Sequence, residues 1–205
     1  MTQSGHIYII DDDESMRISL SRTLSEVGYN VNDYQSGVAF LTESLPSSPA
    51  VILLDMQMPD ITGIELQQKL LNLGRKTPII FISGQSHPHQ IVTGLKNGAI
   101  DFLFKPFNLE NLLVAVNQAL DFDKTQLIEL IKEVDIKQRF STLTPREKEV
   151  CSLLVEGLSN KAIAVRLGTV DATIKVHKAR VMEKMRADSI QTLVKMHLEA
   201  DLDNV

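Results

Sequence analysis

Asp11, Asp12 and Asp13 stand in a row directly after the apolar run His6 to Ile10, and Asp55 directly follows a second run, Val51 to Leu54. Ser83 and Lys105 follow two further runs, Pro78 to Ile82 and Ile100 to Phe104. If these runs are parallel strands, the carboxylates, the hydroxyl and the ammonium converge on one edge. Open parallel sheets bind ligands there, near the point where the strand order reverses. Clustered carboxylates repel one another and a hard cation relieves the repulsion; Mg²⁺ takes one or two carboxylates with phosphate oxygens and water. Asp55 is then suited to act as a nucleophile toward a phosphoryl donor, with Lys105 as a point charge on the transferred oxygens. Acids at strand ends also cap helices. Asp13 is read as such a cap, but capping does not account for the set as a whole.

The elements that must position these groups alternate from residue 6 to 120. A fifth segment, Asn30 to Tyr34, completes five strands. Between them lie helical stretches at about Ser15 to Gly28, Ser36 to Thr42, Gly63 to Leu73, Pro88 to Gly98 and Asn108 to Phe122. Alternation of this kind predicts a doubly wound α/β domain with a five-stranded parallel sheet and right-handed crossovers. Residues 121 to 140 read as a linker helix with Leu127, Leu130, Ile131 and Val134 on one apolar face.

A second, all-helical unit opens at Thr144-Pro145-Arg146-Glu147, where Thr is an N-cap, Pro suits the first helical position and Glu closes a capping box. Helices are expected to Gly157, from Ser159 to Gly168, from Asp171 to Met185 and from Ser189 to Glu199.

Charge divides the chain in the same way. Residues 1 to 123 hold 7 basic and 14 acidic side chains, whereas residues 144 to 186 hold 9 basic and 5 acidic. An acidic front half suits a cation and a locally basic rear half suits an anionic partner. Cys151 is the single cysteine, which excludes an internal disulfide and argues against a thiolate metal cluster. It falls on the apolar face of its helix and reads as core. His87 and His89, without a third ligand nearby, read as surface residues. No apolar run reaches bilayer-spanning length and the N-terminus lacks a basic region before an apolar core, so the expected address is cytoplasmic, with no membrane partner.

Residues 5 to 120 resemble the receiver domain of two-component systems, a flavodoxin-like fold. The paired acids Asp11 and Asp12, the segment Asp55-Met56-Gln57-Met58-Pro59-Asp60-Ile61-Thr62-Gly63 and the run Lys105-Pro106-Phe107 carry the resemblance. It implies that Asp55 accepts a phosphoryl group from a sensor histidine kinase. It further implies that Asp12, Asp55 and the Gln57 backbone carbonyl hold Mg²⁺, with Asp11 supporting the ion through water. Ser83 would bond the new phosphoryl oxygen, and Phe102, at the switch aromatic position, would rotate inward. Gly84 stands where many receivers have Ala, and Gln57 and Gln85 flank the pocket. A phosphatase of the haloacid dehalogenase type would carry a second Asp two residues after the nucleophile, where this chain has Gln57.

Residues 141 to 200 resemble the LuxR-type helix-turn-helix, most closely its FixJ-like subgroup, through Gly157-Leu158-Ser159-Asn160-Lys161-Ala162-Ile163-Ala164, Leu167-Gly168 and Thr173-Ile174-Lys175-Val176-His177. The resemblance implies a helix from Asp171 in the major groove of double-stranded promoter DNA. On that helix Lys175, Val176 and Ala179 share a face, near Ala172, and are the candidate readers of base edges. Lys161, Thr173, Lys178 and Arg180 are the candidate phosphate contacts. Ile163, Leu167, Ile174 and Val181 read as core. Val170 occupies a position where related modules carry a Ser cap, leaving Asp171 or Thr169 to cap instead.

The combined expectation is a DNA-binding transcriptional regulator and not an enzyme. A receiver at residues 1 to 122 would be joined through a linker helix at 123 to 140 to a DNA-binding domain at 141 to 205. Phosphorylation would drive homodimerisation, with Leu193, Val194 and Met196 of the last helix supplying a second contact, and RNA polymerase would be a further partner.

Overall fold

The computed structural model describes residues 5–42, 48–84 and 87–202, and the chain divides into two compact units, residues 1–127 and 128–205. The first unit holds strands β1 (His6–Ile10), β2 (Asn30–Tyr34), β3 (Ala50–Asp55), β4 (Ile79–Ser83) and β5 (Asp101–Phe104) with helices α1 (Glu14–Val27), α2 (Gly37–Leu41), α3 (Gly63–Asn72) and α4 (Pro88–Lys96). Helix α5 (Leu109–Ser141) continues past residue 127. The fifth helix and the linker helix expected from the sequence are thus one element of 33 residues.

All strand pairs are parallel and the order is β2-β1-β3-β4-β5, so the order reverses between β1 and β3. Alternate residues of each strand enter opposite layers, as a pleat requires. Ile7, Ile9, Val51, Leu53, Ile80 and Ile82 pack with Leu20 and Leu24 of α1 and Leu112, Val116 and Ala119 of α5. Tyr8, Ile10, Ile52, Leu54 and Phe81 pack with Phe40 of α2 and Leu66 and Leu70 of α3. Burial on both faces is why β3 and β4 read as unbroken apolar runs.

The second unit holds α6 (Pro145–Val155), α7 (Asn160–Arg166), α8 (Asp171–Met185) and α9 (Ile190–Glu199). Its core joins Val150, Cys151 and Leu154 of α6, Ile163 of α7, Ile174, Val181 and Met185 of α8 and Leu193 of α9, together with Ile136 and Phe140 from the end of α5. Burial pushes the Cys151 thiol up to about 11, as fits an inert core cysteine. Leu127, Leu130, Ile131 and Val134 are exposed. That apolar stripe of the linker helix takes no part in the second core, which Ile136 and Phe140 of α5 enter instead. Among the described residues no helix is long and apolar enough to cross a membrane.

Candidate functional site

The sheet register builds the site. Asp55 closes β3 opposite Ile82, Ser83 closes β4 opposite Phe104, and the Lys105 amide donates to the Ser83 carbonyl at 2.8 Å. Asp11, following β1, donates its amide to the Tyr34 carbonyl at 3.3 Å. The strand ends thereby set Asp11, Asp55, Ser83 and Lys105 on the edge where the strand order reverses. Gly63 lets α3 begin against this edge, since a β-carbon there would stand 2.5 Å from the Asp55 carbonyl oxygen. The α3 N-terminus is fixed by the Thr62–Glu65 capping box.

Lys105 Nζ donates to Asp11 Oδ2 at 2.7 Å and to Asp55 Oδ1 at 2.9 Å. Asp55 Oδ2 accepts the Gln57 amide at 2.6 Å, and Asp11 Oδ1 accepts the Asp13 amide at 2.9 Å. Asp11, Asp55 and Ser83 are buried while Asp12 and Gln57 are exposed at the rim. Burial raises the Asp55 carboxyl, helped by the charge of Asp11, and outweighs the lowering bonds from Lys105 and the Gln57 amide. Burial works against the Lys105 charge too, but its hydrogen bonds to Asp11 and Asp55 prevail and hold the ammonium above its ordinary value. Two carboxylates thus share one ammonium.

The groups expected as metal donors, the carboxylates of buried Asp11 and Asp55 and of exposed Asp12 and the carbonyl of Gln57, are all hard oxygens, a chemistry that would suit Mg²⁺. Among the described residues no three His, Cys, Asp or Glu side chains already converge as a metal cluster. Asp13 caps α1, its Oδ1 accepting from the amides of Ser15 and Met16. Phe102 is half-buried, its ring centroid 6.2 Å from that of Phe81 and 4.8 Å from that of Phe104. A β-carbon on Gly84 would meet nothing closer than Lys105 Cβ at 3.9 Å, so the pocket has room for the larger Ala. Gln85 lies outside the described residues. His87 and His89 are exposed and stack on each other.

In the second unit Ser159 caps α7 through the Ala162 amide, and the tight turn to α8 ends at Val170, which is the N-cap residue and makes no side-chain cap bond. Asp171 instead accepts from Lys175 at 2.8 Å. Ala172, Lys175, Val176 and Ala179 lie exposed together on α8, as a 3.6-residue period requires. Lys161 and Arg180 are exposed, Thr173 and Lys178 half-buried. Ile163, Ile174 and Val181 are buried and Leu167 packs against them. Leu193 is fully buried and not free for a second contact, and Met196 and Ile190 are partly buried against the core; Val194 and Leu198 are the apolar residues of α9 that are not part of that core.

Arg17 escaped the reading of the sequence. Its Nη1 donates to the carbonyls of Asp11 at 2.8 Å and Asp12 at 3.1 Å. The available signal was its place one turn after Asp13, since helical side chains lean toward the N-terminus.

Comparison with known proteins bears on both halves. Residues 7–117 match the family described as response regulator receiver domain, and residues 141–197 match bacterial regulatory proteins of the luxR family. The transcriptional regulatory protein FixJ of Bradyrhizobium diazoefficiens is 37% identical over 205 residues, covering 100% of both chains. The response regulator protein TmoT of Ectopseudomonas mendocina is 37% identical over 194 residues, 95% of this chain and 88% of that one. Among solved structures, the response regulator StyR superposes with a TM-score of 0.83 at 34% identity, covering 96% of this chain and 100% of that one. Full-length FixJ from B. japonicum gives 0.56 at 35% identity, covering 97% and 98%.

Proposed function

The chain belongs to the response regulators of transcription that join a receiver domain to a LuxR-family DNA-binding domain, and from that membership we propose that phosphorylation of Asp55 by a sensor histidine kinase controls its dimerisation and its sequence-specific binding to promoter DNA. The observation that carries the proposal is Lys105 bonded to both Asp11 and Asp55 at the reversal point of the sheet.

In this reading a carboxylate oxygen of Asp55 forms the new P–O bond as the P–N bond to the kinase histidine breaks, and the imidazole leaves with the electron pair. Asp12, Asp55 and the Gln57 carbonyl would hold Mg²⁺, with Asp11 in support, and the bound ion would supply positive charge to the phosphoryl oxygens. Lys105 exchanges a carboxylate for a phosphoryl oxygen, and the Ser83 hydroxyl donates to another. Phe102 then turns fully inward, which biases the α4–β5 face toward a second conformation. That face suits association, because Val92, Leu95 and Phe104 are exposed there.

A dimer brings two α8 helices to paired half-sites. Lys175, Val176 and Ala179 read base edges while Lys161, Thr173, Lys178 and Arg180 contact phosphates. Residues 1 to 122 act as the receiver, 123 to 140 as the linker and 141 to 205 as the DNA-binding domain. The protein works in the cytoplasm with RNA polymerase as a further partner, and it accepts the phosphoryl group without enzymatic turnover of a substrate.

Intact-mass measurement after incubation with acetyl phosphate and Mg²⁺ tests the chemistry. One phosphoryl group per chain is expected, absent from Asp55→Asn. A chain that gains none, or a variant that gains as much, contradicts the assignment.

A further inference from the structure

Asp11 and Asp12 are consecutive, yet both carbonyls reach one nitrogen, Arg17 Nη1, at 2.8 and 3.1 Å. The chain therefore bends sharply after β1, and the guanidinium holds the bend. Arg17 is itself largely buried, its side chain 11% exposed, and its Nε pairs in charge with Asp33 Oδ1 on β2 at 3.4 Å without forming a hydrogen bond. The other side of the bend is tied by the Asp13 amide bonded to Asp11 Oδ1 and by the Asp13 cap on α1. Asp12 itself is exposed, on a backbone held from both sides.

We propose that Arg17 is a positioning residue that holds the acidic loop in the conformation in which Asp11 and Asp12 meet an incoming divalent cation. The proposal rests on the reading of the acidic pocket given above. Arg17 also carries a charge, and this separates positioning from plain electrostatics by sign. A nearby guanidinium repels a cation, so deleting it tightens cation binding if charge dominates. If positioning dominates, deletion frees two carbonyls and the loop, and binding weakens, because preorganisation of donors is lost. Lysine keeps the charge but loses the fork that spans both carbonyls.

The test measures Mn²⁺ affinity of the full chain by electron paramagnetic resonance of the free ion, for wild type, Arg17→Lys and Arg17→Met. It is paired with the rate of Asp55 phosphorylation by acetyl phosphate at saturating Mg²⁺. The Met variant is expected to bind Mn²⁺ about tenfold more weakly, with Lys between it and wild type. The rate at saturating Mg²⁺ should stay within about twofold of wild type, because Arg17 touches neither Asp55 nor Lys105. Unchanged or tighter binding by both variants overturns the assignment of Arg17 alone. A wild type that takes up no Mn²⁺ overturns the pocket reading and this assignment with it.

Discussion

Lys184, in the last turn of α8, donates to the Glu147 carboxylate in the first turn of α6 at 2.7 Å, and the same ammonium reaches the Thr142 carbonyl at 3.0 Å. Glu147 also completes the α6 capping box with Thr144. One carboxylate thus fixes the start of one helix and the far end of the helix assigned to the major groove. Its bonds from Lys184 and then Thr144 hold the carboxyl at about 2, well below the ordinary 4.5.

A group whose folded value is depressed contributes stability that is complete above its unfolded value and disappears as pH falls toward the folded one. Glu147 should therefore contribute above about pH 4.5 and lose its contribution between there and about pH 2. Glu147→Gln should lower stability by about 2 kcal/mol at neutral pH. The difference from wild type should shrink across that acid window, as thermal unfolding of the two chains at a series of pH values will read.

Asp55 carries the opposite sign. Burial is the main cause that raises its carboxyl, so its ionised form costs stability, and the cost is felt once pH exceeds the ordinary value. Asp55→Asn should stabilise the chain at neutral pH by on the order of 1 kcal/mol. Added Mg²⁺ should raise the unfolding temperature of wild type more than that of the variant, because the ion relieves charge that the variant lacks. Calorimetry with and without Mg²⁺ checks both statements.

On α9 the split between buried and exposed apolar residues predicts a split in mutant behaviour. Leu193→Ala removes a fully buried side chain and should cost about 3 kcal/mol of stability. Val194→Asp, beside Leu198 outside that core, should leave unfolding nearly unchanged and weaken DNA binding about tenfold by disfavouring the second protomer. Paired unfolding and DNA-binding titrations distinguish the two.

Much of this was legible in the sequence. The bounds of β1, β2 and α8 agree with those expected; β1, buried along nearly its whole length, carries the clear apolar pattern, whereas β2 is mostly exposed. What escaped depends on tertiary contact. Periodicity marked Leu127, Leu130, Ile131 and Val134 as one apolar face, but whether such a face is covered depends on what packs there; these four are exposed, and the core took Ile136 and Phe140. The cap of α8 went to Val170 without a side-chain bond while Asp171 engaged Lys175, a choice between neighbouring positions that propensity does not resolve. In the pocket, type and spacing identified Asp55, Ser83 and Lys105. The role of Arg17 lies in bonds to main-chain carbonyls, which side-chain patterns do not announce.

Phosphorylation of Asp55 is proposed to control DNA binding, and an affinity titration of promoter DNA tests that control directly. Wild type and Asp55→Asn are compared with and without Mg²⁺ and acetyl phosphate at one stated salt concentration. Wild type alone should gain affinity and dimerise when the phosphodonor is present. Equal binding by both chains under all conditions would contradict it.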